Sequence, residues 1–204
     1  MIKNFAKIFT LAFLAFAPLA AKAEATIGQP APELSLPAHD GSTQSLSAFK
    51  GKIVVLEWLN KDCPFVHKHY DTQNMQNLQK EMTAKDVVWL TISSSAEGKQ
   101  GYMTADVAKA TVAEKGAAPS FVLLDHSGAV GKSYGAKTTP HMFVVDANGV
   151  LAYAGAIDDK PSADKADVTT AKNFVRQAVE QLQAGQAVTE TSTKAYGCSV
   201  KYAD

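Results

Sequence analysis

Two residues in the chain can do sulfur chemistry, Cys63 and Cys198. Cys63 stands where a buried-type strand hands over to a helix, and Pro64 follows it directly. Proline suits the first helical turn, where its missing N–H would have no partner in any case. A thiol at that end meets the positive pole of the helix and unpaired N–H groups, which favour the thiolate and lower its pKa. The thiolate is the nucleophile, so this corner predicts a reactive cysteine, and Lys61, His67 and Lys68 would strengthen the effect wherever they turn toward it. The bland alternative is a small buried residue near a helix start. Cys198 sits beside Gly197 on a polar stretch near the C-terminus, free to fold back over Cys63. Glu57, six residues before Cys63, is a lone charge at the end of an apolar strand, and read alone it could equally face water.

The elements that must position these residues follow from periodicity. Ile53-Val54-Val55-Leu56 is a bounded apolar run suited to a strand buried on both faces. From Pro64 the pattern turns helical, with Met75, Leu78 and Met82 at three- and four-residue steps. A second strand is expected over 87–92, a short helix over 105–114 ended by Gly116, and a third strand over 121–124. Met142–Val145 and Val150–Tyr153 flank the turn Asp146-Ala147-Asn148-Gly149, a hairpin signal. A closing helix carries Val175, Ala178, Val179 and Leu182 on one face. Residues 24–50, with leucines around Asp40-Gly41, read as a hairpin or lead-in. Strands alternating with helices, then a hairpin and a helix, predict an α/β fold around a mixed central sheet flanked by helices.

The first 23 residues have the three parts of a secretory signal: Lys3 and Lys7, an apolar run from Ile8, and Ala21-Lys22-Ala23 as a cleavage site. No apolar run reaches the roughly 20 residues that span a bilayer. The expected divisions are therefore a signal peptide (1–23), a domain (24–184) and a C-terminal tail (185–204) carrying Cys198. Export, periplasmic in a Gram-negative bacterium and secreted otherwise, leaves no membrane attachment after cleavage and permits disulfides. The full chain balances 20 Lys+Arg against 20 Asp+Glu, and losing the signal removes three lysines and no acid. That charge argues against a nucleic-acid partner, which needs a basic stripe. With 46% hydrophobic and 20% charged residues, disorder as the main state is excluded.

Glu57-Trp58-Leu59-Asn60-Lys61-Asp62-Cys63-Pro64 after a strand, with Thr139-Pro140 before a later one, resembles the thioredoxin superfamily. The long lead-in is similar to its redoxin branch, which holds the peroxiredoxins (the alkyl hydroperoxide reductase and thiol-specific antioxidant family). Cys63-Pro64-Phe65 with His69-Tyr70, the stretch Thr138-Thr139-Pro140-His141, Ile157-Asp158-Asp159 and the closing Gly197-Cys198-Ser199-Val200-Lys201-Tyr202 resemble an exported, peroxiredoxin-like subgroup. The resemblance implies a thioredoxin-like fold with an N-terminal extension and a cis Pro140 that sets Thr139, Pro140 and His141 beside Cys63. It also implies a buried Glu57 that moves a proton during thiol exchange, and Asn60 and Pro64 at the substrate. The chain departs from its relatives: Val66 replaces the second cysteine of Cys-x-x-Cys, Asn60 replaces the peroxiredoxin threonine, and its single arginine is Arg176 on the closing helix.

Together these imply an exported thiol oxidoreductase in which Cys63 attacks a peroxide or a protein disulfide, Cys198 resolves the product, and an external thiol restores the pair. Sulfur carries the electrons, so no organic cofactor is implied. Two other readings stay open. One is a copper or zinc module using Cys63, His67 and His141. The other is a non-catalytic redoxin scaffold in which Cys63–Cys198 is a fixed staple, worth on the order of 4–5 kcal/mol for so long a loop. Pairing of cysteines between two chains is open as well.

Overall fold

The computed structural model describes residues 24–203, so the expected signal segment lies outside the described residues. The chain starts with a hairpin, β1 (Ser35–Pro37) and β2 (Thr43–Ser45), closed by Gly41 at φ 89° and by the Asp40 carboxylate, which accepts the Ser42 N–H at 3.0 Å. Then follow β3 (Val54–Trp58), α1 (Pro64–Asp71), α2 (Asn74–Ala84), β4 (Val88–Ser93), α3 (Ala105–Lys115) and β5 (Phe121–Leu124). The second half holds α4 (Ala129–Ser133), β6 (Thr138–Thr139), β7 (His141–Val145), β8 (Leu151–Gly155), α5 (Phe174–Gln183) and β9 (Cys198–Ser199).

Five strands form one mixed sheet in the order β5-β4-β3-β7-β8. Helical crossovers make β3, β4 and β5 parallel, while β7 runs antiparallel to β3 and turns into β8. The expected β7–β8 turn forms with Asp146 Oδ1 accepting the N–H groups of Asn148 and Val150. Strand alternation divides the core in two. Val55 meets α1, α2 and α5 through Val66, Leu78 and Val179, while Val54, Leu56 and Trp58 meet the β1–β2 hairpin and the α4 segment through Leu36 and Tyr134. This is the expected thioredoxin-like α/β arrangement.

The helical pattern from Pro64 is two helices. The Thr72 hydroxyl donates to the Lys68 carbonyl at 2.7 Å, ending α1, and Gln73 turns left-handed at φ 61° before α2 starts. Beyond α5 the chain is a strap across one end of the sheet. Thr193 accepts the Ala156 N–H at 2.9 Å, Cys198–Ser199 pairs antiparallel with β6, and Tyr202 donates to Ala136 O at 2.8 Å. Its ring lies where a side chain at Gly128 or Gly131 would stand. Among the described residues no helix is long and apolar enough to cross a membrane.

Candidate active site

Cys63 caps the N-terminus of α1 with extended backbone (φ −86°, ψ 126°), and Pro64 takes the first helical position. The loop before it is built by Asn60: its carbonyl accepts the Cys63 N–H at 3.1 Å, its Oδ1 accepts the Asp62 N–H at 2.9 Å, and its Nδ2 donates to Gln100 O at 3.3 Å. Asn60 is fully buried, with Gly101 against its amide, so its polar atoms shape the nucleophile's loop. Pro64, by contrast, is exposed beside the cysteine.

Two further segments close over the sulfur. The Thr139–Pro140 bond is cis, as the resemblance implied, and Cys63 Sγ donates to the Thr139 carbonyl at 3.1 Å. From the other side β9 places Cys198 opposite Thr139 in the antiparallel register. The Cys198 sulfur lies 2.6 Å from Cys63 Sγ. Gly197 allows this approach: its φ is 137°, and any side chain there would overlap the Thr139 carbonyl. Burial works against ionising Cys63, yet hydrogen bonds to its sulfur from Cys198, the Thr139 side chain and the Val66 N–H outweigh it, and its pKa falls below the ordinary 9.0. Cys198 moves the opposite way, to about 11, through burial and then through its hydrogen bond to Cys63 and the charge there. Of the two thiols, Cys63 is therefore the one that ionises first.

Glu57 is fully buried, which excludes the water-facing alternative. Its carboxylate accepts from Trp89 Nε1 at 2.8 Å, Tyr70 and Thr91 hydroxyls at 2.9 Å each, and Gln79 Nε2 at 3.2 Å. Burial raises its pKa, and these four donors only partly offset that. All four partners belong to the core beneath the site, and neither sulfur is among them. His141 pairs in register with Trp58, and its ring packs on Phe143 at 4.5 Å between centroids, while its Nδ1 accepts the Lys137 N–H at 3.3 Å. It lies on the Trp58–Phe143 side of the sheet.

The charges expected to assist Cys63 are engaged elsewhere. Lys61 pairs with Asp62 at 2.8 Å and His67 with Asp71 at 3.6 Å, while Lys68 is fully buried against Asp158 at 3.6 Å. The metal reading is corrected too: among the described residues no group of three His, Cys, Asp or Glu stands close enough to hold an ion. His67 turns to Asp71 and His141 to Phe143, so Cys63 lacks both supposed partners. A polar cluster of Lys68, His69, Asp158 and Tyr196, which no local pattern announces, lies beside the strap. His69 and Asp158 belong to motifs of the resemblance and Lys68 was expected to assist Cys63, but nothing in local spacing shows that a lysine on α1 is buried.

The family model described as Redoxin matches residues 26–172. The chain belongs to the Redoxin family. That match includes Cys63 and the Thr139–Pro140 stretch and stops before α5 and the strap bearing Cys198. No curated protein matches this redoxin. Among solved structures it is similar to a hypothetical protein from Sinorhizobium meliloti (24% identity, TM-score 0.74, covering 88% of this chain and 96% of that one). It is also similar to an uncharacterized conserved protein from Geobacillus kaustophilus (24%, 0.75, 87% and 93%) and a peroxidoxin from Mycobacterium tuberculosis (17%, 0.55, 79% and 98%). These likenesses show the fold.

A pH dependence follows from the buried histidine of the redoxin's polar cluster. Burial holds His69 neutral down to about 4, with the Asp158 charge opposing and the Lys68 charge assisting. A base with a depressed pKa adds stability above its unfolded value of 6.5, and that stability is lost as pH falls toward 4. At full effect this is on the order of 3 kcal/mol. Chemical denaturation should show stability falling between pH 6.5 and 4, and His69→Gln should flatten that fall; an unchanged slope would exclude His69 as its source.

Proposed function

We propose that this redoxin is an exported, peroxiredoxin-like thiol oxidoreductase with Cys63 as nucleophile and Cys198 as resolving cysteine. The reading rests on one observation: two thiols 2.6 Å apart whose pKa values are pushed in opposite directions. The Cys63 thiolate attacks one sulfur of a substrate disulfide, which leaves a mixed disulfide and expels the other sulfur as a thiolate. Cys198 gives up its proton and attacks Cys63 Sγ, forming Cys63–Cys198 and releasing the second substrate thiol. Two electrons pass from the dithiol to the substrate. With a peroxide, Cys63 becomes a sulfenic acid as the alcohol or water leaves, and Cys198 then expels water.

We rank disulfide sulfur above peroxide oxygen. The chain's single guanidinium, Arg176, donates through Nε and Nη2 to Glu81 at 3.0 and 2.9 Å, and Asn60 is spent on its loop. Regeneration uses an external thiol attacking Cys198, the more accessible sulfur, with Cys63 leaving as the stabilised thiolate. Export is inferred from the signal pattern of residues 1–23.

Redox titration of the mature protein against glutathione, read by intact mass, tests the cycle. A Cys63–Cys198 couple between about −120 and −270 mV is expected, the range of exchange-active pairs. A couple below about −300 mV would instead identify a permanent staple.

A further inference from the structure

Four titratable side chains, unused by this chemistry, meet beneath the strap. Lys68 and His69 are fully buried on α1, Asp158 is 2% exposed just after β8, and Tyr196 comes from the strap itself. The hydrogen bonds have a direction. Asn74 Nδ2 donates to His69 Nδ1 at 2.8 Å, which leaves the ring proton on Nε2. That nitrogen faces the Tyr196 oxygen at 3.3 Å, and the Tyr196 hydroxyl donates to Asp158 Oδ1. Lys68 Nζ donates to Lys160 O at 2.8 Å and reaches the Tyr196 oxygen at 3.5 Å. The Tyr196 ring is seated edge-on against Phe65 of α1 and lies 5.4 Å beneath the Lys68 ammonium.

Asp158 is the member that most needs the strap. Its Oδ1 accepts from Tyr196 and from the Lys160 N–H at 3.0 Å, while its buried Oδ2 has no hydrogen-bond partner, with the Lys68 ammonium at 3.6 Å and His69 Nε2 at 4.0 Å. Removing the strap takes away one of the two hydrogen bonds of a buried carboxylate, a costly loss. Tyr196 precedes Cys198 by two residues, so this anchor acts within about 7 Å of the resolving thiol. The strap has anchors of its own apart from the sulfurs: Tyr196 on Asp158 and Phe65, Thr193 on the Ala156 N–H and Tyr202 on Ala136 O.

We propose that the Lys68–His69–Asp158–Tyr196 cluster is a latch that docks the strap in the dithiol state, with Tyr196 as the positioning residue that presents Cys198 to Cys63. The inference rests on the reading of Cys63 and Cys198 as a redox pair. Docking sets the effective concentration of one thiol at the other, and hence the equilibrium of the couple. With glutathione disulfide as oxidant, the two thiols yield one disulfide and two glutathione molecules.

The test equilibrates the mature chain and its Tyr196→Phe variant in glutathione buffers. Tyr196→Phe removes a single oxygen and keeps the ring on Phe65. Its equilibrium constant for disulfide formation should fall about tenfold or more, equivalent to about 30 mV for a two-electron couple. In the reduced variant Cys198 should be alkylated faster, whereas Cys63 reactivity in a Cys198→Ser background should be unaltered by Tyr196→Phe. Asp158→Asn, which keeps the acceptor and removes the charge, should shift the equilibrium in the same direction. Unchanged equilibria and Cys198 alkylation, with both redox forms destabilised equally, would overturn the latch and leave a merely structural cluster. If the unsubstituted chain forms no internal disulfide at all, the redox-pair reading fails, and the latch with it.

Discussion

Replacing Cys198 with Ser stops turnover and leaves Cys63 able to react once. In the intact protein resolution is unimolecular, because β9 holds the second sulfur 2.6 Å from the first. An external thiol at millimolar concentration cannot match well-oriented intramolecular attack, whose effective molarity is enormous. Multiple-turnover exchange should therefore fall by at least about 10²-fold. Cys63 should accumulate as a mixed disulfide with the substrate thiol, seen as a mass adduct that the intact protein does not keep. Stability separates this from the staple reading. A bridge that only pins the strap would leave the parent without exchange activity, and Cys198→Ser would then lower stability alone, by on the order of 4–5 kcal/mol. Sustained cycling by Cys198→Ser without added thiol would eliminate the resolving role.

The second large effect concerns Glu57. Glu57→Ala removes the common acceptor of Trp89, Thr91, Tyr70 and Gln79, all within the core. Orphaned buried donors cost about 1–3 kcal/mol each, and the missing side chain leaves a void. Allowing for non-additivity, the loss should be at least about 4 kcal/mol, enough to unfold a domain of ordinary stability or nearly so. Guanidinium denaturation of the reduced protein measures it; a loss under about 1 kcal/mol would mean that water replaces the carboxylate. The pH dependence has a definite sign. An acid whose folded pKa is raised contributes stability below its unfolded value of 4.5, and that contribution is lost as pH rises through the folded value. Glu57→Gln, which cannot ionise, should lack that decline. The same variant tests the proton-transfer role implied by the thioredoxin resemblance: a moved pH–rate profile for exchange would support it. An unmoved profile would assign Glu57 to the core alone.

Much of this arrangement was legible because it is encoded locally. The apolar run at 53–56, the Asp146–Gly149 turn and the helical steps at Met75, Leu78 and Met82 each specify an element through near neighbours. Cys63-Pro64 at a strand-to-helix corner likewise names a nucleophile, because helix capping and dipole effects act over a few residues. The parts that periodicity hides turn on single side chains and very short segments. Thr72 and Gln73 split one helical pattern in two through a side-chain bond to the backbone, and α4 is a five-residue helix with a glycine inside, too short for any periodicity. Lys61, His67 and Lys68 looked like one positive cluster, but Lys61 pairs with its neighbour Asp62 in the loop, and helix rotation sends His67 to Asp71 and Lys68 to Asp158.

By itself, then, the sequence determined the α/β fold, the corner that holds Cys63 and the existence of a second thiol. Folding in three dimensions makes the polar tail a docked strap, lets Gly197 lie against Thr139 and anchors Tyr196 on a buried Lys68–Asp158 pair. The physical reason is range. Periodicity and capping report on neighbours within a few residues, whereas Cys63 and Cys198 are separated by 135 residues. Their meeting depends on strand register and on the burial of charges, which take effect only once the sheet has assembled.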